Sequence, residues 1–236
     1  MSIEVIETHT ILPDIISPGS IVVDCGANVG RFSLEMIRRF GCLCYAIEAA
    51  PDTFGKIPIT SNLHRYNFAI CATNKLVMMS IDEDITRRAI TAGPKENMVA
   101  VQGRHLGEFL ADEVVGTTID LVKMDIEGAE IEVIASLNDD LIERVGQWTI
   151  EFHDFLGRLS VSDVEQCVER IARLGFYELF WSKRRNNADV LLVNKNRLPL
   201  RRYIIEQHIV RPTRASIRLA RRLLMPETGS INFAPS

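Results

Sequence analysis

Four short stretches of this 236-residue chain carry residue types at spacings that can do chemistry. The first is Asp24-Cys25-Gly26-Ala27-Asn28-Val29-Gly30, an acid and two glycines directly after the apolar run Ile21-Val22-Val23. Glycine lets the chain turn sharply and lets a ligand approach the backbone closely. A dinucleotide turn would read GxGxxG, and a triphosphate loop would end in GK[ST]. The pattern here is DxGxNxG, with an acid that disfavours phosphates and suits an ammonium or sulfonium. That contrast points to S-adenosylmethionine rather than NAD or ATP, against the plain alternative of an ordinary tight turn.

The second is Ala46-Ile47-Glu48, whose acid follows Asp24 by about the 20-residue offset at which a carboxylate accepts hydrogen bonds from ribose hydroxyls. NAD enzymes share such an acid, so Glu48 argues for adenosine without naming a cofactor. The third, Asp120-Leu121-Val122-Lys123-Met124-Asp125-Ile126-Glu127-Gly128-Ala129-Glu130, crowds charge at the end of an apolar strand. Unpaired burial of such groups is costly. They therefore gather at the strand's open end, facing a ligand or, in a structural reading, pairing Lys123 with Glu127 or Glu130. The fourth is Thr149-Ile150-Glu151-Phe152-His153.

These groups need elements to position them. After residue 20, short β-branched runs alternate with helix-length segments, the sign of βα units and a mostly parallel sheet. Strands are expected at 21–25, 42–48, 65–71, 75–82, 98–104, 117–127 and 147–153, with helices at 29–40, 105–113 and 128–138. The segment 50–63 reads as a weaker helix broken near Gly55 and Pro58. A helix at 162–175 has a Ser162/Asp163 start and a Gly175 stop. The runs 176–181 and 188–194 pair as a late antiparallel hairpin. In such a sheet the ligand lies at the carboxyl ends of the strands.

With 47% hydrophobic and 25% charged residues the chain is of globular composition. No run reaches the about 18 apolar residues of a membrane span and the N-terminus lacks a basic leader, so a cytoplasmic location is the expectation. Five cysteines without a second Cys/His pair at ligand spacing read as reduced structural thiols rather than a zinc site. Residues 197–236 hold eight arginines against two acids and carry +6, which leaves 1–196 at −10. An acidic body suits a cationic ligand and not a nucleic acid. We expect two parts: a domain over 1–196 and an Arg-rich, partly helical tail over 197–236. The tail's 213–225 stretch is a basic amphipathic helix that either docks on the acidic body or contacts an anionic membrane peripherally. The sequence sets no oligomeric state.

Together VVDCGANVGRFSLEM, AIEAAPDTF, DLVKMDIEGAEIEVI and TIEFH resemble the FkbM family of S-adenosylmethionine-dependent methyltransferases, over roughly 20–155. The resemblance implies the class I methyltransferase (Rossmann-like) α/β/α sandwich, with a seven-stranded, mostly parallel sheet and an antiparallel late strand. It also implies methyl transfer to a hydroxyl of a sugar, glycan or small metabolite. Asp24, Gly26, Asn28 and Gly30 should line the methionine end of the cofactor, Glu48 the ribose, and Asn67 and Ala69 the adenine. Asp125 should lie under the sulfonium, with Glu127 and Glu130 at the substrate mouth. Where the family usually has Thr-Leu-Asp before its KxDxEGxE strand, this chain reads His105-Leu106-Gly107, with Glu108 as the available substitute. An imidazole with a pKa near ~6.5 suits proton capture near neutrality, so His153 is the expected base and Glu151 the second choice. Asp125, Glu127, Glu130 and Asp154 are hard oxygen donors for magnesium, but no required metal is expected. A catalytically silent module that binds an adenosine ligand or a partner is the competing reading.

Overall fold

The computed structural model describes residues 3–80, 98–114, 116, 118–153, 160–183 and 187–205. The chain begins with a hairpin of β1 (Glu4–Ile6) and β2 (His9–Ile11). The glycine turn then joins β3 (Ile21–Cys25) to α1 (Arg31–Phe40). Next come β4 (Leu43–Ile47), α2 (Pro51–Phe54), β5 (Leu63–Tyr66), β6 (Ala69–Cys71), β7 (Lys75–Ser80), β8 (Met98–His105) and α3 (Leu106–Glu113). The second half holds β9 (Leu121–Met124), α4 (Glu130–Ser136), α5 (Asp139–Glu143), β10 (Gln147–His153), α6 (Val161–Arg173), β11 (Phe176–Lys183), β12 (Asn187–Asn194) and α7 (Leu200–Ile205).

Seven strands form the main sheet in the order β11-β12-β10-β9-β3-β4-β5. From β10 to β5 every pair is parallel, while β12 runs antiparallel to both β10 and β11. Apolar residues face both sides of these strands, as a covered parallel sheet requires. Val23, Cys25, Val122, Met124, Ile150 and Phe152 face one core with α3, α4 and α6. Val22, Cys44, Ala46 and Leu121 face the other with α1 and the N-terminal hairpin. This is the α/β/α sandwich expected from sequence, with the antiparallel strand in the late position.

Three expectations are corrected. The segment 65–71 is not one strand: the chain bends at Asn67, whose side-chain amide donates to the carbonyls of Glu48 (2.8 Å) and Ala49 (3.1 Å). Its second half, β6, joins a separate three-stranded sheet with β8 and β7. The helix at 50–63 shrinks to the four residues of α2, since Gly55 and Pro58 end it early. The start of α6 is Ser160 rather than Ser162, because Ser160 and Asp163 cap each other's backbone reciprocally. All five cysteines are buried free thiols.

The chain divides into a unit 1–198 and a unit from Pro199 onward. Arg197, counted above with the basic tail, lies in the first unit and pairs with Asp120 at 2.9 Å. Of the second unit only α7 is described, and the amphipathic stretch 213–225 lies outside the described residues. No helix among the described residues is long and apolar enough to cross a membrane.

A buried glutamine side chain helps to tie the N-terminal hairpin to the sheet. The Gln147 amide, fully buried at the start of β10, accepts from the Leu12 N–H (2.8 Å) and donates to the Leu12 carbonyl (3.2 Å). Gln147→Leu keeps the volume but strands both backbone groups, at about 1–3 kcal/mol each. Amide hydrogen exchange should therefore accelerate in residues 4–12 ahead of β3 and β9; equal protection of the hairpin in both proteins would contradict this role.

Candidate functional site

The ends of β3, β4 and β9 meet at the glycine turn. Gly26 has φ +81°, and a Cβ there would come within 1.8 Å of the Asp125 carbonyl oxygen. Only glycine allows the turn to lie that close to the end of β9. The turn is tied to β4 by N–H bonds from Gly26 (3.0 Å) and Ala27 (2.9 Å) to the Ile47 carbonyl. On its other side the Lys123 ammonium donates to the Gly26 carbonyl at 2.6 Å.

Lys123 is nearly fully buried, with Asp24 at 3.1 Å and Asp125 at 3.5 Å. Burial disfavours its charge, but those two carboxylates more than offset that and hold its pKa above the ordinary lysine value. Register explains the pairing. Asp24 stands directly opposite Lys123 across the β3/β9 ladder, on the α1 side of the sheet, where the Ser33 hydroxyl also donates to it at 2.7 Å. Asp24 is therefore completely buried beneath the turn and does not line the cleft, contrary to the reading that set it beside the ligand. Nor does Lys123 pair with Glu127 or Glu130.

A cleft opens above the turn. Gly26 and Asn28 form one wall, Ile47, Glu48, Ala49 and Thr53 the next, and Asp125, Ile126 and Glu127 the far side. Phe68, Ala69, Ile70 and Met79 supply an apolar end. Gly30 supports the turn as the left-handed residue before α1. Asn67 is not among the lining residues, its amide being held by the backbone carbonyls already described. Glu48 is fixed by the Asn28 N–H on one oxygen and the Ala50 N–H on the other, both at 2.8 Å. Burial raises its pKa, while those two donors pull it back. Each oxygen keeps a lone pair for a further donor, so Glu48 can receive a diol.

Asp125 faces the cleft with its side chain 23% exposed. Burial would raise its pKa, but Lys123 and His9 win and hold the carboxyl below the usual range. His9, from β2, brings Nε2 to 3.2 Å from Asp125 Oδ2. Nothing in the sequence singled out His9: it is one histidine in a short strand with no ligand at a fixed offset. Ile126 and the left-handed Glu127 (φ 60°) follow, and burial raises the Glu127 carboxyl to about 7, with His153 opposing and Asp125, Glu130 and Glu151 adding.

Glu130 is fully buried and not at a substrate mouth. It accepts from the N–H groups of Ile126 (3.2 Å) and Gly128 (3.1 Å), and its Oε1 is 3.1 Å from His153 Nδ1. His153 Nε2 lies 3.7 Å from Glu151 Oε1. Burial alone would lower the His153 pKa, yet the hydrogen bond to Glu130 and the charges of Glu127 and Asp125 raise it to about 9. In the ion-free chain this shift favours the protonated imidazole and counts against the base role expected of it. His105 and Glu108 stand apart: His105 caps α3 by accepting from the Glu108 N–H (3.3 Å), Asn74 donates to the Glu108 carboxylate (2.5 Å), and both residues line a second cavity. Glu108 does not line the cleft. Asp154 lies outside the described residues.

Residues 24–177 match the family model described as the methyltransferase FkbM domain, well over half the chain. The chain belongs to the FkbM methyltransferase family. Over 167 residues it is 26% identical to Methyltransferase 1 of Beauveria bassiana (strain ARSEF 2860), covering 58% of this chain and 66% of that protein. The FkbM chain thus spans a little under two thirds of that relative's length. Among solved structures it is similar to M. capricolum TrmK in complex with S-adenosyl-homocysteine, with a TM-score of 0.45, 11% identity, and coverage of 78% of this chain and 66% of that one. It is also similar to Aeropyrum pernix fibrillarin with natively bound S-adenosyl-L-methionine, with a TM-score of 0.45, 11% identity, and coverage of 77% and 69%.

The buried ion pair gives a stability test of the site. Lys123→Met leaves Asp24 charged and unpaired in the interior, which costs about 3–5 kcal/mol. Adding Asp24→Asn, which can still accept from Ser33, should recover part of that loss in urea unfolding; a double variant no more stable than Lys123→Met would refute the pairing.

Proposed function

We propose that this FkbM-family chain is an S-adenosylmethionine-dependent O-methyltransferase acting on a hydroxyl of a sugar, glycan or small metabolite. The observation that carries the reading is that Glu48 and Asp125 border one cleft, separated by the tight turn at Gly26. When bound, S-adenosylmethionine supplies a methyl carbon already attached to a positively charged sulfur leaving group. Glu48 accepts the ribose hydroxyls through the two lone pairs left by Asn28 and Ala50. Phe68, Ala69, Ile70 and Met79 take the flat adenine. Asp125, kept ionised by Lys123 and His9, offers its charge to the sulfonium end.

The acceptor enters beside Asp125 and Glu127. A carboxylate rim accepts a hydrogen bond from a hydroxyl and repels phosphates, which favours neutral sugars or metabolites over a nucleic-acid backbone. Alignment of the acceptor oxygen with the methyl carbon supplies much of the rate in such a displacement. The competing module that binds and does not transfer draws on Gly107, which stands where the family usually has an aspartate.

Calorimetry with S-adenosylmethionine and with NAD tests the cofactor; binding of NAD alone would overturn the reading. Glu48→Gln, which loses a charge-assisted acceptor, should weaken S-adenosylmethionine binding by about tenfold or more, equivalent to ~1.4 kcal/mol. Unchanged affinity in a folded variant would remove Glu48 from the site. Cell extract incubated with the enzyme and trideuteriomethyl-labelled cofactor should yield a labelled acceptor by mass spectrometry. Binding of S-adenosylmethionine with no label in any extract would favour the silent module.

A further inference from the structure

Three side chains converge at the acceptor end of the cleft in a way that cofactor binding does not explain. His153 Nε2 is 3.7 Å from Asp125 Oδ1 and 3.9 Å from Glu127 Oε2. One ligand atom from each of the three residues lies within 4.8 Å of the others. These separations are too long for hydrogen bonds. Two atoms that share an ion with bonds of about 2.0–2.2 Å lie no more than about 4.4 Å apart, so one ion can bridge both contacts once the side chains draw in slightly.

The surroundings hold the three groups in place. The other imidazole nitrogen, Nδ1, faces the buried Glu130 carboxylate at 3.1 Å, and backbone N–H groups fix that carboxylate in turn. A carboxylate behind the distal nitrogen is the usual means of orienting a metal-binding histidine. Asp125 is oriented as well: His9 (3.2 Å) and Lys123 (3.5 Å) approach Oδ2, so Oδ1 is the oxygen nearer His153. Glu127 reaches the cluster from a left-handed backbone conformation (φ 60°) that costs a non-glycine residue of order 1–3 kcal/mol.

We propose that His153, Asp125 and Glu127 bind one divalent first-row transition-metal ion at the acceptor end of the cleft, with Glu130 as the residue that positions His153. A nitrogen ligand beside two carboxylates suits manganese, zinc, iron or cobalt, whereas magnesium prefers oxygen and water. A second set, His9, Asp125 and Glu151, also falls within ligand spacing. An ion there would sit against Asp125 Oδ2, the oxygen that Lys123 approaches, and would meet the ammonium's repulsion. The His153 side is free of that conflict and borders the cleft through Asp125 and Glu127.

Three protein ligands leave two or three positions open on an ion of five or six ligands. Those positions suit an acceptor carrying two neighbouring oxygens, such as a vicinal diol or a hydroxy-carbonyl group. The acceptor class rests on the methyl-transfer reading above; the ion site does not.

Binding is measured on the full chain, freed of metal with a chelator and without cofactor or acceptor. Calorimetry and elemental analysis after dialysis against Mn²⁺, Zn²⁺ or Mg²⁺ should give one transition ion per chain and weaker magnesium binding. Glu130→Gln should weaken Mn²⁺ binding about 10–100-fold, as loss of an orienting carboxylate does, and His153→Gln should weaken it at least as much. Should His153→Gln not fold, electron spin-echo spectroscopy of the Mn²⁺-loaded wild type reads the same contact through coupling to an imidazole nitrogen. Absence of stoichiometric binding, absence of nitrogen coupling, or binding lost in a folded His9→Gln variant but kept in His153→Gln overturns the proposal. A chain that binds the ion and transfers no methyl refutes the functional reading alone, and one that transfers methyl without binding an ion refutes this one alone.

Discussion

The site depends on burying one lysine among carboxylates. Lys123 reaches the end of β9 in an almost water-free position, where it binds Asp24, Asp125 and the carbonyl of Gly26 together. Such a pair adds little net stability, because two charges must lose their water. Its value is geometric: it locks the glycine turn of β3 to the end of β9 and gives Asp125 a fixed electrostatic environment. The close approach at Gly26 serves the same contact, since any side chain there would drive the two strand ends apart.

Around that anchor the carboxylates do different work although they lie close together. Glu48 is fixed by two backbone donors and keeps a lone pair on each oxygen. Asp125 is held as an anion, whereas burial, with nearby acids adding to it, makes Glu127 hold its proton more readily despite His153. Glu130 never reaches the cleft and instead fixes the imidazole of His153. Asp125, Glu127 and Glu130 fall within six residues of one another, and their environments separate them.

How much of this could be read from the chain follows from what each signal measures. Strand β3 was legible to the residue from its apolar run Ile21-Val22-Val23, and β10 from the alternation of Trp148, Ile150 and Phe152 with polar residues. Glu48 was legible from its offset behind the glycine turn, while the motifs were legible by resemblance, which also implied the place of Asp125 in the same cleft. The side to which Asp24 points was not, because both faces of β3 are buried and only pairing with Lys123 reveals which one it takes. The break at Asn67 depends on carbonyls that fall nineteen and eighteen residues earlier, and no local pattern encodes it. The Ser160 start of α6 lost to a nearby Ser162 because both precede acids, and only the reciprocal bond to Asp163 separates them. His9 was invisible because its partner lies on another strand, far along the chain.

The Gln147 clasp on Leu12 joins positions 135 residues apart. Contacts of such long sequence separation form late, since loop closure must be met before they contribute. His9, from the early hairpin, and His153, from the same strand as Gln147, can therefore meet beside Asp125 only after β10 has joined the sheet. A ribosome-bound chain would hold the glycine turn and Glu48 before it holds the two histidines beside Asp125, so the two sides of this cleft mature in the order of the chain.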